Sequence, residues 1–401
     1  MACALASSYG ARARAQTAGG PEPREVRALW VQRLSLTSPG AIAGMVEEAQ
    51  SAGFNTLLVQ VRGRGDAFFT DSVEPRAAAL LDQPLSFDPL AEVLAAARPA
   101  GLRVHVWINV NLVANAVQLP GAREHVIYRH PEWLMVPREL ARDMASIRPD
   151  SPEYIGRLAR YVRAHAAQVE GLYLSPIHEG ASAHAISVVS DLVERYDVDG
   201  VHFDYIRYPN DEFDYSPGAL SAFRDEVVRD LEPVDRRRYD ARLSREPTIY
   251  ADAFPERWGA FRRARLTALV GRLREAVAAR RPGVTLSAAV LPDARDAFVH
   301  RLQDWRHWMA AGLIDAVCPM AYTTDPATFR TQIEAVRVLA SGKPVWAGIG
   351  AYRLSSSETI ENIVAARELG AHGIVLFSYD NLSAVPGRPQ LLSDIGRAAF
   401  D

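Results

Sequence analysis

Asp204, Tyr205, Arg207 and Tyr208 crowd the end of the stretch DVDGVHFDYIRYP, residues 197–209. A carboxylate, a guanidinium and two phenols at the exit of an apolar run are ingredients of acid–base or nucleophilic chemistry, in which a positioned carboxylate moves a proton or attacks carbon. Comparable exits recur along the chain. Gln60 and Arg62 end TLLVQVR with Asp66 just beyond, and Trp107, Asn109 and Asn111 end RVHVWINVN. Tyr322 and Asp325 close DAVCPMAYTTD, and Tyr379 and Asp380 close GIVLFSYD. Amides and guanidinia are directional partners for a hydroxyl-rich ligand, and aromatic rings add flat apolar area with a polar tip.

These exits can converge only if the segments bearing them lie side by side. From residue 27 onward one unit repeats: an amphipathic helix, a small residue plus glycine, then a β-rich apolar run, as in SAGFNTLLVQV, PAGLRVHVWI, RRPGVTLSAAV, AAGLIDAVCPM and ELGAHGIVLFS. Glycine just past a helix end is the expected stop, because it takes the left-handed conformation without steric cost. RALWVQRLSL, DGVHFDY and KPVWAGIGAY bring the strands to about eight. Helices are expected near residues 39–52, 89–100, 257–280 and 357–369. In the third, Leu266, Leu269, Val270, Leu273 and Val277 form one stripe at helical spacing.

Helix–strand alternation implies a parallel sheet covered by helices. About eight units, with no glycine-rich phosphate loop at the first turn, favour an α/β fold of the closed (β/α)8 barrel type. Long connections are expected after the third strand, residues 111–191, and after the fourth, residues 209–256. The second of these is a candidate lid. Both leave from strand ends and so belong to the rim where barrels build their sites.

Alternate side chains of a strand face opposite sides. Leu29 and Val31, Leu57, Val59 and Val61, Val104, Val106 and Ile108, and Val201 and Phe203 share an apolar parity that should meet the helices. Trp30 and Gln32, Gln60 and Arg62, His105, Trp107, Asn109 and Asn111, and His202 and Asp204 share the other and should line the lumen. Asp199, on the opposite parity at the strand's start, reads as a structural turn residue.

The ordered set GLYLSP, VQVRGRGDAFF, HVWINV, DVDGVHFDYIRYP, DAVCPMAYTTD and GIVLFSYD resembles the bacterial glycosyl-hydrolase-like family ten over roughly residues 27–386. The Arg- and Pro-rich passage 230–248 matches none of its motifs. The resemblance implies a (β/α)8 glycoside hydrolase acting on a polysaccharide or oligosaccharide, with bacterial cell-wall (peptidoglycan) glycan a candidate and no cofactor. Glycosidic cleavage ordinarily takes two carboxyl groups, one giving a proton and the other acting as nucleophile or base. Asp204 is the candidate nucleophile or base and Asp325 the candidate acid, with Asp66, Glu179 and Asp380 as further candidates. Gln60, Arg62, Asp66, Trp107, Asn109, Asn111, Arg207, Tyr208, Tyr322 and Tyr379 are candidate substrate-binding residues. Trp30 and Trp346 read as core.

His105, His178, His184 and His202 lack the helical spacing of a hydrolase zinc site, and no metal is expected. Ser355 to Ser357 read as a helix cap before Glu358. A noncatalytic glycan-binding barrel remains an alternative, and a metal-dependent deacetylase a third.

A net charge of −3 with no basic block argues against nucleic acid as a partner. Cys3 and Cys318 are too few and isolated for a disulfide framework. No apolar run approaches the roughly 20 residues that span a bilayer. Residues 1–23 carry no apolar periodicity and read as a disordered tail, leaving 24–401 as one domain. ACALA followed by ARA before Gln16 has the shape of the end of an export signal, which would place the protein in the periplasm or outside the cell; an uninformative tail is the alternative.

Overall fold

The computed structural model describes residues 24–383 and 390–400; the proposed tail, residues 1–23, lies outside them. Ten strands occur among the described residues: β1 Val26–Val31, β2 Thr56–Arg62, β3 Arg103–Asn109, β4 Leu112–Ala114, β5 Leu172–Tyr173, β6 Gly200–Asp204, β7 Thr285–Val290, β8 Ala316–Ala321, β9 Trp346–Ile349 and β10 Gly373–Phe377. All but β4 and β5 close into a parallel barrel in the order β1, β10, β9, β8, β7, β6, β3, β2. The expected (β/α)8 fold is therefore present.

Local chemistry starts the helices in a consistent way. Ser38, Asp88, Ser151, Ser216 and Asp325 each cap a helix whose next residue is proline, their side chains accepting backbone N–H groups of the first turn. Proline costs nothing at that position because its missing N–H would have no partner in the helix. At the helix ends, Gly53 and Gly101 take φ of +75° and +71°, as the repeated glycine signal requires. Ser355 and Glu358 form a reciprocal capping box.

The two strand parities separate into two cores. Leu29, Val31, Leu57, Val59, Val104, Val106, Val201 and Phe203 pack with the helices, including the stripe Leu266, Leu269, Val270, Leu273 and Val277 of the helix Pro255–Arg280. Trp30, Leu58, Trp107, Cys318, Trp346 and Val375 fill the lumen instead. Each fully buried leucine or valine contributes roughly 1.5–3 kcal/mol, so the outer layer supplies the larger share of barrel stability.

The connection after β3 contains the antiparallel pair β4–β5, which joins Leu112 to Tyr173. The connection after β6 is largely helical, with helices Pro217–Val227, Pro233–Asp240 and Ile249–Ala253. Tyr215, Phe223, Tyr250, Trp258 and Phe261 give it a core of its own, packed on the first part of the helix Pro255–Arg280.

Candidate functional site

Asp204 is the last residue of β6, opposite Asn109 of β3. The chain turns immediately beyond it: Tyr205 has φ of +48°, a left-handed conformation that non-glycine residues rarely take. The turn aims the Tyr205 N–H back at the carboxylate, donating to Oδ1 at 2.6 Å. Arg207 Nη1 donates to the same oxygen at 3.1 Å. No donor reaches Oδ2 among the described residues, which leaves that oxygen open to chemistry.

Arg207 is itself buried and stacks on the Tyr205 ring at 4.1 Å. Burial works against its charge, but Asp204, Tyr173, Tyr205 and Glu170 outweigh burial and raise its pKa above the ordinary guanidinium value. Glu170 Oε1 lies 3.8 Å from Arg207 Nη2, and its other oxygen accepts from the Tyr173 hydroxyl at 2.7 Å. The β4–β5 pair thus holds a second carboxylate against the far side of the same arginine. Nothing in the sequence marked Glu170, which lies inside the long connection after β3 with no motif of its own.

Asp204 opens on a cavity of about 210 Å3 at the C-terminal mouth of the barrel. Gln60, Trp107, Asn109, Arg207 and Tyr322 line it, as the sequence led one to expect. So do Gln32, Arg33, Arg64, Tyr205, Met320 and Phe377, none of them among the expected binding residues. Gln60 accepts from Arg33 Nη1 at 2.9 Å, and Asn109 Nδ2 donates to the Gly63 carbonyl at 2.9 Å. Trp107 Nε1 is buried with no protein partner, a donor available to a bound ligand. Burial raises the Tyr322 phenol well above its ordinary range, so its hydroxyl stays protonated. Trp30, expected as core, also borders the cavity while donating its indole N–H to His202 Nε2 at 3.1 Å. Trp346 lies in the lumen core.

Several expected site residues lie elsewhere. Arg62 was assigned to the lumen by alternation, but the β2–β3 register shifts between Gln60 and Arg62, pairing Arg62 with Ile108. A bulge of one residue flips a side chain to the other face. Arg62 accordingly points outward into a buried ion pair with Glu74, its Nε and Nη2 donating at 2.7 Å and 2.6 Å. Its Nη1 reaches the Asn109 and Val110 carbonyls, so it braces the β3 exit and does not face a ligand.

Asp325 is exposed and caps the helix Pro326–Leu339, accepting from the Thr328 hydroxyl and N–H. These bonds hold its carboxyl below the ordinary range, the wrong direction for a proton donor, and it does not line the cavity. Asp66 Oδ1 accepts the Arg64 N–H at 2.9 Å and shapes the loop that presents Arg64. Asn111 Nδ2 donates to the Arg207 carbonyl at 3.2 Å, a bracing role. Tyr208 is buried beneath Arg262, and Tyr379 is buried with its phenol pushed up to about 12 by burial and Glu48. Neither lines the cavity. Glu179 pairs with Arg272 at the surface, and Asp380 accepts from Gln32 N and the Ser35 hydroxyl. Asp199 accepts the Val104 N–H, the structural role expected of it.

Both nitrogens of His202 are engaged, by Trp30 and by the Ser287 hydroxyl at 2.9 Å, and burial lowers its pKa to about 3. Burial with Arg103 and His202 does the same to His105. No group of His, Cys, Asp and Glu suited to a metal occurs among the described residues. No helix among them is long and apolar enough to cross a membrane.

Known proteins share this architecture. The chain is 22% identical over 339 residues to glycosyl hydrolase YngK of Bacillus subtilis, covering 76% of this chain and 55% of that protein. It is 22% identical over 309 residues to glycosyl hydrolase DigH of Escherichia coli K12, covering 70% and 57%. The chain thus spans little more than half the length of these curated relatives. Among solved structures, the PgaB (BpsB) glycoside hydrolase domain of Bordetella bronchiseptica superposes with a TM-score of 0.63 at 15% identity, covering 92% of this chain and 98% of that one. The catalytic domain of β-amylase from Paenibacillus polymyxa gives 0.62 at 12% identity, covering 94% and 99%. At such identities these structures bear on fold alone. The family signature extends over residues 25–361, from β1 into the helix Ser356–Glu368, and the chain belongs to the Glycosyl hydrolase-like 10 family.

Proposed function

We propose that this chain hydrolyses glycosidic bonds of a polysaccharide, with bacterial cell-wall glycan as the leading candidate and Asp204 as nucleophile or general base. The carrying observation is the carboxylate itself. Asp204 ends a barrel strand, has one oxygen fixed by Tyr205 and Arg207 and the other open, and faces a cavity of aromatic and amide side chains. A fixed carboxylate facing the anomeric carbon would attack it, stabilise an oxocarbenium ion or activate a water. Gln60 and Asn109 would hold sugar hydroxyls, while Trp107 and Tyr322 would meet apolar ring faces. Arg207 would hold the carboxylate in orientation. A wall-glycan substrate fits export beyond the cytoplasm, the localisation we propose from the signal-like residues before Gln16.

A second reading is noncatalytic glycan binding, favoured by one observation: Asp204 is the only carboxylate lining the cavity among the described residues. Incubation with peptidoglycan glycan strands and a panel of bacterial and plant polysaccharides separates the two. New reducing ends above a no-protein control support hydrolysis. Binding to a glycan with no cleavage of any supports the second reading.

A further inference from the structure

Three guanidinium groups, of Arg33, Arg64 and Arg207, share the cavity with the single carboxylate of Asp204. Arg207 is already matched by Asp204 and Glu170. Arg33 and Arg64 make no ion pair among the described residues. Arg33 spends one N–H on Gln60, and Arg64 spends one on the Gly63 carbonyl at 3.0 Å while its Nε is buried without a partner. Two neighbouring half-buried guanidinia, neither held in an ion pair among the described residues, are unfavourable without a further anion. Burial lowers the Arg33 pKa, Asp66 opposes that, and Arg64 adds to it.

The pair is also built to stay in place. Gly63 lets the Arg33 side chain lie against the backbone: a Cβ there would come within 2.5 Å of Arg33 Nη1 and 2.9 Å of its Cζ. Arg64 is fixed from both sides, its N–H by Asp66 Oδ1 at 2.9 Å and its carbonyl by His125 Nε2 at 2.7 Å. Gly65, at φ of +67°, makes the turn between them and leaves room for the His125 ring. Asp66 thus shapes the loop without pairing with either guanidinium. A planar guanidinium with several fixed N–H donors matches a carboxylate far better than a hydroxyl.

We infer that Arg33 and Arg64 form a seat for an oxyanion carried by the sugar, so that the glycan taken by this site is an acidic saccharide bearing a carboxylate, as a uronate or a carboxyalkyl ether. The inference rests on the glycan-binding reading of the same cavity, and it makes these arginines specificity determinants. Asp204 works on the glycosidic bond, and the arginine pair selects the residue presented to it. The seat also offsets the repulsion that the Asp204 charge would exert on an anionic sugar.

Equilibrium binding of the full chain tests this without relying on turnover. The probes are galacturonate and glucuronate trisaccharides and an N-acetylmuramic-acid disaccharide, each beside its carboxyl-reduced counterpart, with a phosphorylated trisaccharide and inorganic phosphate as further arms. At least one acidic probe should bind tenfold or more tighter than its reduced form, with the advantage shrinking as salt rises. Arg64→Gln alone should cut that preference at least threefold, and Arg33→Gln with Arg64→Gln should abolish it. Equal binding of acidic and reduced forms overturns the inference, as does failure of every acidic probe to bind, preference for phosphate over carboxylate, or a preference that survives the double substitution. If the double variant does not fold, Arg64→Gln, on a half-buried loop, decides alone. Absence of new reducing ends counts against hydrolysis only and leaves the binding preference to be read independently.

Discussion

Arg207 Nη1 and the Tyr205 N–H both donate to Asp204 Oδ1, so one carboxylate oxygen is immobilised while its twin accepts from no protein donor among the described residues. Arg207 is thereby a structural counter-charge as well as a wall of the site. Replacing it by alanine removes the partner of a buried ion pair, a loss of about 3 kcal/mol. Denaturant unfolding of Arg207→Ala should show that loss. A midpoint unchanged from wild type would mean that solvent already compensates Asp204.

The Arg62–Glu74 pair supports the neighbouring strand exit and gives a pH signature. Burial alone would raise the Glu74 pKa, but Arg62 and His184 outweigh it and hold it at about 2. A folded-state pKa below the unfolded value means stability present above roughly pH 4.5 and lost as pH falls towards 2. Wild type should therefore exceed Glu74→Gln in melting temperature near pH 6, and the gap should narrow steadily below pH 4.5. A gap independent of pH would assign the loss to packing.

Trp107 presents an indole N–H that no protein group accepts, at the edge of the cavity. Trp107→Phe keeps most of the ring's packing against Phe377 but removes the donor. Folding should be nearly unaffected, and glycan affinity should fall by about 1 kcal/mol, the ordinary worth of one hydrogen bond. Titration of a bound oligosaccharide into both proteins measures it, and equal affinity would confine Trp107 to packing.

Gly63→Ala sets a methyl group where the Arg33 guanidinium lies. The neighbour is the end of a long side chain, so Arg33 should swing away from Gln60 at little cost in stability. The variant should melt within a few degrees of wild type yet bind acidic saccharides several-fold more weakly. Unchanged binding would show that Arg33 does not need its present position.

The barrel was legible because its signals are periodic. Alternation sorted Leu57 and Val59 from Gln60, and helix stops repeated five times in the same form. Asp204, Asn109 and Trp107 followed from that parity, the first two ending regular strands and Trp107 one alternation before Asn109. Arg62 did not, because a bulge is a local change of register that leaves no mark in a two-residue pattern. Asp325 carried a readable warning: Asp followed by Pro326 is the same cap-and-proline signature as Asp88 before Pro89. Phe377 shares the parity of Gly373 and Val375 and was open to the same reasoning. Arg33 and Arg64 lie just past strand ends, in turns where alternation stops, so only the folded chain brings them to Asp204.

The central claim is that the open oxygen of Asp204 does chemistry. Asn preserves size and most hydrogen bonding while removing the charge, so Asp204→Asn should bind glycan nearly as wild type does but release new reducing ends at least 10³-fold more slowly, roughly 4 kcal/mol in barrier. Turnover by Asp204→Asn within tenfold of wild type, on a glycan that wild type cleaves, would contradict the assignment.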